Sequence, residues 1–230
     1  MTPALNELAA ALQAQNPNLL VEAQGGGTQI GWEELRGGRV EMAALSYWDE
    51  TQAIPDGFQL IPVARDGIAV IVHPRNPISN VTSLQLRALF GGEVLDWRGL
   101  GGVEGEPQII SREDGSGTRA AFEQRVMGGQ RVTLNALVMP STTAVVDYVA
   151  SHPLAVGYVS LSAVDERVHV VPVEGMSPTK EDAQSGAYYL ARTLYLATRK
   201  PESPGAPTVL AFSEGEGGQA VWGEWFALLP

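Results

Sequence analysis

The chain has 230 residues, enough for one large domain or for two lobes of about 100 residues each. Hydrophobic residues make up 44% of it and charged residues 18%, so the sequence predicts a folded protein with a sizeable core. The net charge of −11, without any Lys/Arg-rich block, argues against nucleic acid or anionic membranes as partners. The absence of cysteine excludes thiol catalysis and disulfides, and three scattered histidines argue against a metal site. We therefore expect no metal and no cofactor.

The first third of the chain alternates between predicted helices and strands, which is typical of an α/β protein. In chain order the predicted elements are a helix at 5–12, a strand at 19–23, a glycine loop at 25–28, a helix at 30–35, and strands at 40–45, 58–63 and 68–72. The first helix has apolar residues at i, i+3 and i+7 and follows Thr2-Pro3, a typical helix start. No run of 18 apolar residues occurs, so the sequence predicts no membrane span.

The rest of the chain continues the same alternation. Thr82 and Gln85 form a capping-box pattern that introduces a helix, which we expect Gly91-Gly92 to end. The later predicted elements are a strand ending at 109–110, a loop at 111–118, helices at 121–126 and 144–150, strands at 154–159, 168–173 and 194–198, and a helical region from 209. No linker separates independent domains, so a chain of two lobes would cross between them within continuous strands.

Two glycine-rich loops share one predicted arrangement, in which a strand leads through the loop into a helix. The first is Gly25-Gly26-Gly27-Thr28 and the second is Asp114-Gly115-Ser116-Gly117-Thr118. Glycine lets the backbone approach an anion closely, and the amides at a helix start point towards it. Arg112 could add a charged fork that fits an oxyanion, and Asp114 could orient that fork. The pair of loops predicts an anion site built mostly from dipoles, which a net charge of −11 does not forbid.

Each loop taken alone has a plainer interpretation as a helix cap with turn glycines. The second loop is not a phosphate loop of the Walker type, because no lysine precedes Thr118. Its glycine spacing also differs from that of the dinucleotide fingerprint. The anion-binding interpretation therefore depends on the two loops together and on Arg112.

The segment from Ser111 to Arg119, followed by Phe122, closely resembles the signature of the phosphate-binding proteins of bacterial ABC phosphate transporters. The resemblance extends in order and spacing over almost the whole chain. The other matching segments are 25–28, 61–77, 84–97, 156–159 and 191–198.

This resemblance implies an α/β protein with the two-lobed, type II periplasmic-binding-protein fold. Each lobe would be a mixed sheet flanked by helices, with the ligand in the cleft between the lobes. Lobe one would comprise residues 1–65 plus 188–230, and lobe two residues 66–187. Family members begin with a strand and a further loop just before the helix that starts here at Thr2-Pro3, so we expect this sequence to lack the first strand of lobe one and an export signal. A misassigned start, a trimmed start and a true truncation would each account for this.

The resemblance also implies a set of ligand-binding residues and no catalytic or metal-binding ones. The implied phosphate-site residues are Gly27, Thr28, Ser46, Arg112, Asp114, Ser116, Gly117 and Thr118. Within this set, Asp114 falls on the family position that pairs with the binding-site arginine, which is Arg112 here. Ser46 falls where many members carry an aspartate that accepts a proton from bound phosphate. Because a site for sulfate needs no such acceptor, the serine leaves the choice of oxyanion open.

The function implied is that of a solute-binding protein that captures inorganic phosphate for an ABC importer and is not an enzyme. The expected partners are phosphate and the permease subunits, with no nucleic acid, and the protein is expected to be a monomer outside the cytoplasm, in the periplasm or anchored extracellularly. Alternatives are a binding protein for sulfate, molybdate or tungstate, a phosphate sensor without a transport role, and a phosphate-ester hydrolase. The hydrolase is disfavoured because the sequence offers no evident base or metal site.

A few polar residues outside this set have both a structural and a ligand-binding interpretation. Ser141-Thr142-Thr143 precedes a helix and predicts either a plain N-cap or a donor to the ligand. Asp66 lies at the expected crossover between lobes, where a structural role is predicted. Trp48, close to Ser46, is expected in the core or at the site.

Overall fold

The computed structural model describes residues 1–229, which form a mixed α/β protein. The helices are α1 Thr2–Gln15, α2 Gly27–Arg36, α3 Ser83–Gly91, α4 Gly117–Arg125, α5 Thr142–Ser151, α6 Lys180–Ser185, α7 Ala206–Glu214 and α8 Glu216–Trp225. The strands are β1 Met42–Leu45, β2 Phe58–Val72, β3 Gln108–Arg112, β4 Leu137–Met139, β5 Ala155–Ser160, β6 His169–Val171 and β7 Ala191–Arg199. No helix in the part of the chain that the structure describes is long and apolar enough to cross a membrane.

The chain divides into two compact units. The first contains Met1–Arg65, Gly115–Gly117 and Thr193–Pro230, and the second contains Asp66–Asp114 and Thr118–Arg192. Strands β2 and β7 each contain residues of both units. Relative to the predicted lobes, residues 188–192 belong to the second unit and Gly115–Gly117 to the first.

In the first unit a short antiparallel ladder pairs β1 with β7, from Met42 opposite Thr198 to Leu45 opposite Tyr195. One apolar cluster joins α1 to the C-terminal helices and includes Leu8, Leu196 and Trp222. The indole N–H of Trp222 donates to the hydroxyl of Ser213 at 2.8 Å, so this large ring is buried without an unsatisfied donor. A second cluster lies under α2.

The second unit has a mixed sheet in the order β6-β2-β5-β3-β4. Strand β2 runs antiparallel to β5 and β6, whereas β3 runs parallel to β5 and β4. Residues 68–72 of β2 are all buried, as expected for a strand covered on both faces. On one face α5 packs close to the sheet at Gly157, where a Cβ would lie 2.6 Å from a methyl group of Val145.

An aromatic cluster in the second unit lies next to the end of β3. Tyr158 stacks on Phe122 with ring centroids 4.1 Å apart, and Phe90 packs against both rings. The phenol of Tyr158 shares a hydrogen bond with the hydroxyl of Ser111 at 2.7 Å and accepts one from the amide of Arg112 at 3.4 Å. This cluster fixes the last residues of β3 before the glycine loop.

The predicted capping box is confirmed, because Thr82 accepts from the amide of Gln85 and the side chain of Gln85 accepts from the amide of Thr82. The predicted strand at 19–23 is wrong. These residues are extended but belong to no strand, and the amide of Val21 donates to the side chain of Gln13 at 2.7 Å. Leu20 is 78% exposed, so an apolar composition alone did not produce strand pairing here.

We expect the protein to lose stability as the pH rises from about 10 to about 12, the interval between the unfolded-state and the folded-state pKa of the buried Tyr158. Burial raises the pKa of Tyr158 from 10.0 to about 12, and burial also raises the pKa of Tyr188. The neutral phenols therefore stabilise the fold fully below the unfolded-state pKa, and this contribution is lost as the pH rises through the folded-state pKa.

A titration followed by tyrosinate absorbance and by circular dichroism measures this. Tyr158→Phe should remove one late-titrating phenol from the folded protein. A Tyr158 that ionises near pH 10 while the circular dichroism is unchanged would contradict the expectation.

Candidate functional site

The first glycine loop brings the start of α2 against the second loop. The amide of Gln29 donates to the carbonyl of Gly115 at 3.1 Å. Gly27 has a φ of +82°, and a Cβ there would lie 2.9 Å from the same carbonyl oxygen. Both the backbone conformation and the close approach therefore require glycine at Gly27. No side chain caps α2, whose N-cap residue is Gly26.

Thr28 and Ser46 meet Gly117 in the same unit. The amide of Ser46 donates to Oγ1 of Thr28 at 2.9 Å, which leaves the hydroxyl hydrogen of Thr28 for another acceptor. A Cβ on Gly117 would overlap the Thr28 hydroxyl and would lie 2.9 Å from the Cβ of Ser46. The predicted site residues Gly27, Thr28, Ser46, Ser116 and Gly117 thus all lie in the first unit, where the two loops pack together.

The second loop turns at Gly115, which has a φ of +86°, and α4 begins two residues later at Gly117. Ser116 and Thr118 are buried polar residues on either side of this helix start. The amides in the first turn of a helix have no acceptor within the helix, and together with the helix dipole they favour an anion. The loop therefore leads through a glycine turn into a helix start, as the sequence predicts.

Arg112 is the last residue of β3, and its side chain is 11% exposed. Its Nε and Nη2 each donate to a different oxygen of Glu113 at 2.7 Å, and its Nη1 donates to the hydroxyl of Thr142 at 2.8 Å. These bonds use three of the five N–H groups of the guanidinium, and the other two, one on each terminal nitrogen, could bind oxyanion oxygens.

The prediction that Asp114 orients Arg112 is wrong. The carboxylate of Asp114 pairs instead with Arg119 at 3.0 Å and with Arg131 at 3.9 Å, and the side chain of Asp114 is 73% exposed. Glu113 takes the predicted role, because the residue next to Arg112 at the strand end can present both carboxylate oxygens to the fork. Asp114 is therefore a residue of the second loop that pairs with other arginines and does not contact Arg112.

The predicted N-cap in the Ser141–Thr143 segment is confirmed, whereas a donor to the ligand from this segment stays a prediction. Ser141 is the N-cap of α5 and accepts from the amide of Ala144 at 3.1 Å. Thr142 is the residue whose hydroxyl accepts from Arg112. Trp48 packs in an edge-to-face contact with Trp32, with ring centroids 5.1 Å apart.

A buried ion pair in the second unit was missed by the sequence analysis. Nε and Nη2 of Arg192 donate to Oδ2 of Asp66 at 3.2 and 2.7 Å, and the two side chains are 3% and 2% exposed. Nη1 of Arg192 donates to Oγ1 of Thr118 at 3.0 Å. The predicted structural role of Asp66 therefore includes holding an arginine that contacts a predicted ligand residue. Asp66 and Arg192 each lie within an apolar strand segment, where an unpaired charge is unfavourable. This was the feature of the sequence from which their pairing could have been predicted.

Within residues 1–229 no group of three or more His, Asp or Glu side chains could hold a metal ion. The polar groups near the two loops include hydroxyls, backbone amides and the guanidinium groups of Arg112 and Arg192. Each of these two arginines is paired with a carboxylate. Such a set of donors can bind an anion, chiefly through hydrogen bonds.

Comparisons with known proteins agree with this arrangement. The phosphate-binding protein PstS of Bacillus subtilis is 26% identical over 191 residues, a match that covers 82% of this chain and 63% of the Bacillus protein. A crystal structure of a phosphate ABC transporter substrate-binding protein from Clostridium perfringens, described with bound phosphate, superimposes with a TM-score of 0.91 at 28% identity and covers 100% of this chain and 95% of the other. An ABC-type phosphate transport receptor from Vibrio cholerae gives a TM-score of 0.85 at 28% identity, covering 100% and 96% of the two chains.

A family model described as the PBP superfamily domain matches residues 1–214, which is nearly the whole chain. The mixed α/β architecture agrees with this match. The chain belongs to the PBP superfamily.

Proposed function

We propose that this protein binds inorganic phosphate and delivers it to an ABC importer. The observation that carries the proposal is the segment from Arg112 to Thr118, in which a guanidinium with two N–H groups left to donate, a glycine turn and the start of α4 follow one another. A tetrahedral oxyanion needs several donors in a small volume, and this segment supplies charged, hydroxyl and amide donors within seven residues. The similarity to phosphate-binding transport proteins supports the same ligand.

The proposed ligand-binding residues are those that the resemblance implies, with one replacement. Arg112 at the end of β3 and Ser116, Gly117 and Thr118 in the second loop would donate, together with Gly27 and Thr28 in the first loop and Ser46 just after β1. Glu113 replaces Asp114 as the residue that orients the arginine. We further propose that the protein acts as a monomer outside the cytoplasm, that its units are the two lobes of a binding protein, and that permease subunits are its partners. It would carry out no bond chemistry.

The alternative ligand is another oxyanion such as sulfate, and Ser46 is the residue that bears on the choice. A serine hydroxyl can accept a hydrogen bond as well as donate one, so Ser46 could accept a hydrogen bond from the protonated oxygen of hydrogen phosphate. It does so less strongly than a carboxylate, which would also repel a fully ionised sulfate. The proposal favours phosphate because the similar proteins are named for it.

We expect calorimetric titration of this chain to give one phosphate site and much weaker binding of sulfate at neutral pH. Ser46→Ala should lower the ratio of phosphate to sulfate affinity by about tenfold, because one acceptor for the phosphate proton is lost. Ser46→Asp should raise that ratio. Equal affinities for the two anions in the parent chain would favour the alternative, and no binding of either would reject the oxyanion site.

Arg112→Met should weaken phosphate binding by about 100-fold or more, because the anion loses its charged donor and Glu113 is left without its partner. Arg167→Met is the matched control, since Arg167 also donates through Nε and Nη2 to a neighbouring carboxylate, that of Asp165, but lies at the surface. The measurement is the same titration, after urea unfolding has shown that both variants fold. Parent-like affinity in Arg112→Met would remove Arg112 from the site.

Gly117→Ala should weaken phosphate binding by about tenfold or more, because the new methyl group displaces the Thr28 hydroxyl and Ser46. Gly31→Ala is the control on the neighbouring helix, where a Cβ makes an ordinary contact of 3.6 Å with Ala43. That control should bind phosphate normally and gain about 0.5–1 kcal/mol of stability. A Gly117→Ala protein with unchanged affinity would show that Thr28 is not a ligand.

A further inference from the structure

We propose that Arg192 is a positioning residue that presets the Thr118 hydroxyl as a hydrogen-bond donor to the bound anion. The inference rests on the proposed function, since it concerns the same site. Arg192 itself is 4% exposed, and each of its three guanidinium nitrogens donates to a group of the protein. It would act on the anion only through Thr118.

The first step is the direction of the hydrogen bond between the two residues. Nη1 of Arg192 lies 3.0 Å from Oγ1 of Thr118, and a guanidinium can only donate. Oγ1 of Thr118 is therefore the acceptor, and its own hydrogen must point away from Arg192. One staggered orientation of the hydroxyl is excluded, and that hydrogen is directed towards some other acceptor.

The second step is the rigidity of the guanidinium. Oδ2 of Asp66 accepts from two nitrogens of Arg192 and also from the hydroxyl of Ser160 at 2.8 Å, which in turn lies 2.8 Å from the hydroxyl of Ser162. A buried carboxylate that holds a planar fork through two nitrogens leaves the third nitrogen little freedom. Nη1 is thereby held at hydrogen-bond distance from Oγ1 of Thr118.

The third step is a parallel in the first unit. Oγ1 of Thr28 accepts from the amide of Ser46 at 2.9 Å, so a fixed N–H also occupies one acceptor position of that hydroxyl. Two predicted ligand threonines, one from each glycine loop, are thus held in the same way. A donor that is oriented before the anion arrives loses less entropy on binding, and this preorganisation increases affinity.

The chain position of these residues adds a reason for the arrangement. Asp66 and Arg192 are the first and last residues of the second unit, and Thr118 is the residue at which its second segment begins. The ion pair and the hydrogen bond from Arg192 to Thr118 therefore join the middle of β2, the start of β7 and the start of α4. A lysine at 192 could keep the charge opposite Asp66, but a single ammonium on a flexible stem lacks the planar fork.

The test is a double-mutant cycle on phosphate affinity, measured by calorimetry with inorganic phosphate. Arg192→Lys should weaken binding about tenfold and Thr118→Val should do likewise, since each removes the oriented donor. The double variant should bind no more weakly than Thr118→Val alone, because Arg192 acts only through that hydroxyl. Thr118→Ser, which keeps a hydroxyl, should lose less affinity than Thr118→Val. Arg167→Lys, at a surface arginine paired with Asp165, is the matched control and should bind like the parent.

Losses that multiply to about 100-fold in the double variant would overturn the proposal, since a general structural effect of Arg192 is independent of the hydroxyl. Parent-like binding by Arg192→Lys would overturn it as well. If the parent itself takes up no phosphate, the proposed function fails, which is a different result from additive losses in a parent that binds.

A second measurement leaves Arg192 in place, in case its replacement prevents folding by leaving Asp66 poorly paired. The guanidinium N–H resonances of Arg192 should shift when phosphate is added to the parent, because its acceptor Thr118 then donates to the anion. The shift should be absent in Thr118→Val. Resonances that do not respond to phosphate in a parent that binds it would overturn the proposal.

Discussion

The buried ion pair between Asp66 and Arg192 is the constraint on which the second unit depends. Side chains that are 2–3% exposed cannot be charged without strong compensation, and here two nitrogens of the guanidinium bind one carboxylate oxygen. Removing either partner would leave an uncompensated charge, at a cost of roughly 3–5 kcal/mol. Asp66 belongs to β2 and Arg192 to β7, and Arg192 also donates to Thr118. The pair therefore joins these two strands and the start of α4 at one point.

The same pair explains why strand β2 does not break where the sequence contains Arg65-Asp66-Gly67. A short polar stretch with glycine is typical of a turn between two strands. In the structure Arg65 pairs through both of its backbone groups with Ala227, and Asp66 finds its partner in Arg192. Both partners are more than 120 residues away in the chain, so no local pattern reveals that the polar residues are satisfied within a continuous strand.

The elements that the sequence predicts well are those with local causes. The capping box of α3 and the glycine turn into α4 involve residues within four positions of each other, and both are found. The strand at 19–23 was not predicted correctly, because strand formation depends on a partner from elsewhere in the chain. The partner of Arg112 was not predicted correctly, because it is the adjacent residue Glu113 and not Asp114. Glu113 and Asp114 are equally plausible partners by composition, and only the direction of the side chains at the end of β3 decides between them. Arg192 was missed for the same reason as the continuous strand.

The charges around the two loops also explain how so acidic a chain can hold an anion. Arg112 and Arg192 each have a carboxylate partner, so neither presents a full positive charge, and the net charge of −11 opposes the approach of an anion from a distance. Under the proposed function, binding would come from short-range donors: the fork of Arg112, threonine hydroxyls and amides at helix starts. Such donors act only where an oxygen sits at hydrogen-bond distance, so they select for the shape of a tetrahedral anion, whereas an unpaired positive charge would attract any anion. Gly27 and Gly117 serve the same arrangement, because only residues without a Cβ let the two loops and their neutral polar groups pack this closely.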